Sequence, residues 1–265
     1  MVSFIYNLSS TCQALLIVSA TVFSAFFGYA IVKRFQWLNV DTEQRALSLT
    51  MVSIITTINS LLVAFAAISV WGNYSDADRT VAAEANSASE LARDLSAFDT
   101  PAAAAAGRHL RAYVEHVVHA EWPSMQQRQR ADPDTEICFN RFFASVNHLE
   151  PATLRQVVLL HEILVRANEM VKLRQQRLQE LVVRMPVTLW AVILIVSAMS
   201  FVLLYVLPPR PFYVFLIGSW AATLGLTFFF IVAVDHPFAG EFSVSPAALQ
   251  QTLDDLVRSE VWPAL

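Results

Sequence analysis

The sequence predicts an all-α integral membrane protein: four transmembrane helices, with a helical soluble domain inserted between the second and the third. Three observations predict it. Hydrophobic residues make up 55% of the chain and charged residues only 15%, and the mean hydropathy is +0.48, too apolar for an ordinary soluble domain. The apolar residues collect in four runs without internal charge, each of about 20 residues, the length a helix needs to cross roughly 30 Å of hydrocarbon. Between the second and third runs lies a polar stretch with helical periodicity.

The first run covers 14–32 and ends in Lys33-Arg34; the second covers 49–71. The third, 187–207, stops at Pro208-Pro209, and the fourth, 212–234, stops at Asp235-His236-Pro237. Tyr6, Trp37, Trp71, Tyr205 and Tyr213 sit near run ends, where aromatic side chains anchor at the interface. The first run is read as retained, because Met1-Val2-Ser3-Phe4 lacks the positive start of a signal peptide. The resulting organisation is 1–72, first helix pair; 73–184, soluble helical domain; 185–235, second helix pair; and 236–265, a tail with an amphipathic helix.

In the inserted segment, Val81, Ala85, Ala88, Ala92 and Leu95 form one helical stripe. Thr100-Pro101 is a cap followed by a first-turn proline, opening a helix expected to run to about 120 with the stripe Leu110, Tyr113, Val114, Val117 and Val118. Pro123 and Asp132-Pro133 predict a loop with short helices over 121–150. From Pro151 a long helical pattern is expected to reach Arg184. If the helices leaving span two and entering span three pack antiparallel, Glu84-Ala85-Asn86 meets Asn168-Glu169, and Glu84 or Glu90 meets Arg174 or Arg177. These charges are read as solvated faces with ordinary surface ion pairs. In the tail, Ser245-Pro246 opens a helix with Leu249, Leu253, Leu256 and Val257 on one face. Its acids Asp254, Asp255 and Glu260 point to docking on the domain rather than on lipid.

Several function classes are excluded. A net charge of -4 leaves no basic footprint for nucleic acid. Cys12 and Cys138 make neither a disulfide framework nor a metal site. His109, His116 and His119 share one side of a helix, but no closed tetrahedral set accompanies them, so an exposed face is preferred to zinc. Six glycines and the lack of a nucleophile elbow or phosphate loop argue against an enzyme, and no cofactor is expected.

Trp71-Gly72-Asn73-Tyr74, Glu84-Ala85-Asn86, Asn168-Glu169-Met170 with Arg174 and Arg177, and Asp235-His236-Pro237-Phe238-Ala239-Gly240 together span most of the chain. In these the sequence resembles the bacterial bestrophin-like membrane-protein family of unknown function. Bestrophins proper are pentameric anion channels whose second span lines the pore. The resemblance therefore implies a homo-oligomer, pentameric by analogy, in a bacterial inner membrane, with lipid and small inorganic ions as partners. It also implies a cytoplasmic domain with both termini on that side. The positive-inside rule read on Lys33, Arg34, Arg45 and Arg210 gives the opposite sense, but long connections obey that rule poorly.

A channel needs polar groups inside the bilayer, facing water. Span two offers Ser53, Thr56, Thr57, Asn59 and Ser60, with Val63, Ala64 and Ala67 further along as an apolar gate. The same groups also serve as hydrogen-bonding glue between helices; the resemblance favours the pore. Ala20, Ser24 and Gly28, Gly218 with Ala222, and Ala221 with Gly225 are small-residue patterns for close helix packing. Asp235 and His236 are read as a structural turn in preference to a pH sensor. Glu84, Asn86, Asn168, Glu169, Arg174, Arg177, Asp235 and His236 are thus the interhelix polar candidates. The alternative to a channel is a non-conducting scaffold or sensor whose soluble domain binds a partner.

Overall fold

The fold is seen in a computed structural model that describes residues 6, 8–36, 38 and 40–258; Trp37 and Glu260 lie outside them. Among the described residues the regular structure is entirely helical. In chain order the helices are α1 (Ser10–Phe35), α2 (Thr42–Phe98), α3 (Pro101–His116), a π-helical turn (Val117–Glu121), α4 (Trp122–Arg128) and α5 (Pro133–Asn147). Then come α6 (Leu154–Glu180), α7 (Val187–Leu204), α8 (Pro211–Val234) and α9 (Ala247–Arg258). Among the described residues α1, α2, α7 and α8 are long and apolar enough to cross a membrane.

Helix α2 runs 57 residues without interruption, about 85 Å at the helical rise. Nothing in it breaks the helix: it has no proline and a single glycine, Gly72. Its start is a reciprocal cap in which the Gln44 N–H donates to Asp41 Oδ1 at 2.8 Å and the Asp41 N–H donates to Gln44 Oε1 at 3.2 Å. Helix α3 has Thr100 accepting from the Ala103 N–H, α5 has Asp132 accepting from the Thr135 N–H, and α6 has Thr153 accepting from the Gln156 N–H.

Two compact units divide the chain: Met1–Gly72 with Arg184–His236, and Asn73–Val183 with Pro237–Leu265. In the first unit α1 lies along α8. A Cβ on Gly225 would stand 2.8 Å from the Val18 Cα, and one on Gly28 would stand 2.6 Å from the Tyr205 hydroxyl oxygen. Ala221 and Gly225 are buried as the small-residue pattern predicts, but Ala20 and Ser24 are exposed. Val18, Thr21 and Ala25, one position around the helix, face the partner instead. Trp220 Nε1 donates to Ser200 Oγ at 3.2 Å, joining α8 to α7.

The second unit wraps a core of Leu91, Leu95, Phe98, Leu110, Phe142 and Ile163. The stripes predicted on the second half of α2 and on α3 are buried there. Leu249, Leu253 and Leu256 of α9 join this core, and Thr252 Oγ1 donates to the Ala85 carbonyl at 3.2 Å; Val257 stays exposed.

Two expected helices end early. The one opened at Pro101 passes into the π-helical turn after His116, which inserts an extra residue per turn. The one expected to reach Arg184 stops at Glu180, and Pro186 caps α7 after a short non-helical link. A proline disfavours helical geometry in the residue before it, so Met185 cannot continue α6 into α7.

Packing at Gly225 predicts that Gly225→Val costs about 1–3 kcal/mol through overpacking, whereas Gly72→Ala, with nothing within 4 Å of the new Cβ, raises stability by up to ~1 kcal/mol. Thermal midpoints in detergent should move in opposite directions; equal shifts would refute this account of the α1–α8 contact.

Candidate functional site

Span two segregates its polar groups onto two faces. Ser53, Thr57 and Ser60 are exposed, followed by exposed Ala64 and partly exposed Ala67. Two of the hydroxyls are partly occupied by their own helix: Thr57 Oγ1 donates to the Ser53 carbonyl and Ser60 Oγ to the Thr56 carbonyl, both at 2.8 Å. Each oxygen keeps its accepting capacity, so the face offers weak acceptors without fixed charge. Thr56 is half-buried and donates to the Val52 carbonyl at 2.7 Å.

Asn59 and Val63 do not belong to that face. Asn59 is fully buried; its Nδ2 donates to Ser197 Oγ on α7 at 3.1 Å, and Ser197 Oγ lies 3.2 Å from its Oδ1. Val63 is buried one turn further along. The expectation that both line the same surface as Ser53 is corrected: steps of four place them on the packing side of α2. In hydrocarbon an amide needs a partner, and Ser197 supplies it.

The interhelix candidates resolve into three groups. Glu84 and Arg177 are fully buried, against the reading of solvated faces. Arg177 Nε donates to Glu84 Oε2 at 2.6 Å, and Nη2 reaches Glu84 Oε1 at 3.3 Å and Glu121 Oε2 at 2.7 Å. Arg174 Nη2 donates to Glu121 Oε1 at 3.1 Å, and its guanidinium lies over the Phe139 ring. The Tyr113 hydroxyl donates to Glu84 Oε1 at 2.5 Å, and Arg177 Nη1 contacts Met125 Sδ. Two cations and two anions therefore close a neutral cluster drawn from α2, α3, the π-helical turn and α6. Burial opposes the Arg177 charge, but Glu84 and Glu121 outweigh it and hold its proton more tightly than usual. Burial, with Glu84 beside it, pushes the Tyr113 hydroxyl well above its ordinary range.

Asn86, Asn168 and Glu169 are exposed and take no part in the cluster. Glu90 pairs with Arg166 rather than with Arg174 or Arg177 as expected, and Arg166 also holds Asp94 at 2.8 Å, in a partly exposed arrangement. Glu121, Tyr113 and Ser197 were missed as polar partners. Glu121 follows Leu110, Val114 and Val117 at helical spacing, so an acid on an apolar stripe was the available signal. The π-helical turn completes its placement, and no sequence rule foretells that.

Asp235 ends α8 and accepts the Met185 N–H at 2.8 Å, which explains a carboxylate at this helix end. Burial raises its affinity for a proton, and the Met185 N–H and Arg184 partly offset this. His236 is buried with its ring 4.4 Å from that of Tyr6, and neither ring nitrogen makes a hydrogen bond. Burial, helped by the Arg184 charge, pushes it down to about 4. His109, His116 and His119 join no group able to hold a metal among the described residues.

These observations define an all-helical membrane protein with a neutral polar face on its second apolar helix and a buried charge cluster in its second unit. The chain belongs to the bestrophin-like domain family, whose model matches residues 17–249. Its fold is similar to that of a bacterial bestrophin homologue from Klebsiella pneumoniae. One variant of that homologue superposes with a TM-score of 0.65 at 9% identity, covering 93% of this chain and 98% of the other. A second gives 0.63 at 10% identity over 95% and 98%. A further membrane protein matches at 0.67 and 9% identity, over 93% and 98%. Among curated proteins none matches the sequence significantly.

The cluster predicts that Arg177→Met, which strands two buried carboxylates, destabilises by about 3–5 kcal/mol. Adding Glu84→Gln should recover part of that loss in denaturant unfolding, and strict additivity would refute the coupling. For His236 the folded value lies below the ordinary 6.5, so its contribution is complete above pH ~6.5 and lost as pH falls toward about 4. The effect is up to about 3 kcal/mol. His236→Gln should flatten that part of the stability profile while the Asp235 part, of opposite sign, remains.

Proposed function

We propose that the protein is an oligomeric ion channel in which the exposed face of α2 lines a shared conduit. The observation that carries this reading is the stripe of Ser53, Thr57 and Ser60 on one exposed side of a membrane-crossing helix. Hydroxyls turned away from the chain's own packing keep acceptor lone pairs that water, an ion or a second copy can engage. Ala64 and Ala67 extend that face as a small apolar constriction of the type that gates by dewetting. The lining carries no fixed charge, which suits weak, multi-site ion contacts. Anion conduction is taken from the bestrophin family, whose known members are ion channels.

A homo-oligomer is supported independently. In the second unit Leu154, Val157, Val158 and Val165 lie along one side of α6, and all are exposed, Leu154 at 83%. A second copy would cover this stripe, and five copies is the number that bestrophins suggest. The same analogy places the second unit as a soluble domain, with both termini, on the cytoplasmic side of a bacterial inner membrane. A scaffold that binds another protein through the α6 stripe is the alternative reading.

Purified protein in planar bilayers should carry a conductance. Thr57→Leu or Ser60→Leu should change its unitary value at least about two-fold, because the hydroxyl's contact with the ion is replaced by hydrocarbon. Leu154→Asp should instead shift the particle mass downward. Unchanged currents in both α2 variants would remove the pore assignment, and an intact oligomer without conductance would favour the scaffold.

A further inference from the structure

A cavity of about 550 Å³ opens where α1 ends, α2 begins and α7 gives way to the link before α8. Its polar wall is Lys33, Gln36 and Arg45; Val32, Val206 and Pro208 are part of its apolar wall. The two cations stand close enough for Arg45 to repel the Lys33 ammonium. Among the described residues no carboxylate forms an ion pair with either. Glu43, two residues before Arg45 in the first turn of α2, is exposed and forms no ion pair with it, and Asp41 is engaged in capping α2 through the Gln44 N–H.

Further features concentrate positive potential there. Arg45 sits in the first turn of α2, so it adds to the positive end of the helix dipole instead of offsetting it. Its Nε is buried and makes no hydrogen bond. Lys33 is steered by the Tyr29 ring, 5.4 Å from its Nζ, and the Tyr29 hydroxyl is fixed by the Leu207 carbonyl at 3.0 Å. Two convergent cations and an amide, backed by an apolar wall, have the donor set of a phosphate site on an amphipathic molecule.

The geometry points to a binding site for the phosphate headgroup of an anionic phospholipid, held by Lys33 and Arg45 with Gln36 beside them. The cavity lies at the ends of apolar helices, the depth at which headgroups sit. Its apolar wall suits a glycerol backbone and the start of acyl chains, which free phosphate lacks. Basic pockets between membrane helices recognise lipid headgroups by this combination. The site stands apart from the α2 conduit face and does not depend on conduction.

The test uses the full chain in phosphatidylcholine nanodiscs doped with phosphatidylglycerol, with retained lipid read by native mass spectrometry. The wild type should retain phosphatidylglycerol in preference to phosphatidylcholine. Lys33→Gln and Arg45→Gln should each reduce that preference about five-fold, and the double variant about thirty-fold. Arg210→Gln, an exposed cation outside the cavity lining, should leave it unchanged. If the single variants keep the wild-type size-exclusion profile and the wild-type preference, the site is refuted. Displacement of the lipid by millimolar inorganic phosphate would overturn the headgroup assignment in favour of a free anion.

Discussion

The second unit is organised around four buried charges. Taking a guanidinium or a carboxylate out of water costs several kcal/mol even after relaxation, and only close, hydrogen-bonded opposite charges return it. Arg177 meets that condition with both Glu84 and Glu121, and Arg174 completes the balance. The requirement fixes registers. Helix α6 can slide along α2 only by breaking the Arg177–Glu84 pair, and Glu121 must be delivered by the turn that follows α3. Any other register of these helices would leave buried charges unpaired, which costs more than the modest net stability the intact cluster supplies. Flanking contacts, such as Thr80 donating to Glu180 Oε1 at 2.8 Å, accept the alignment that the charges set.

Helix α2 contributes residues to both units. In its apolar half the packing side carries Asn59, satisfied by Ser197, and the other side carries the small hydroxyl residues. This division makes the exposed side informative. Large residues such as Leu61, Phe65 and Ile68 are exposed too, as suits a lipid-facing surface, but the Ser53–Thr57–Ser60 line is small and polar.

The apolar runs, the cap at Thr100, and the stripes on α2 and α3 with most of that on α9 were legible, because each depends on local spacing. The caps at Asp132 and Thr153 were not read, and Asp132-Pro133 was expected in a loop. The buried status of the charges was partly legible. Ile163, Ala167, Met170, Arg174 and Arg177 recur at alternating steps of four and three, which places both arginines on an apolar seam. The reading as surface pairs weighed residue type over phase. In span two the same error occurred: residue type grouped Asn59 with the serines and threonines as pore-lining candidates, although its phase sets it on the packing side.

The sequence by itself determined that this is a helical membrane protein, since run length, hydropathy and capping are properties of the chain alone, and its motifs carried the resemblance to the bestrophin-like family. Only the tertiary structure decided which polar groups are spent on packing and which remain available. Asn59 became glue, Glu121 became a counter-ion through a π-helical turn, and Lys33 and Arg45 were brought to one cavity from the ends of two helices. The physical reason is that burial and Coulomb energy depend on distances between segments remote in sequence, and periodicity within one helix does not encode those distances.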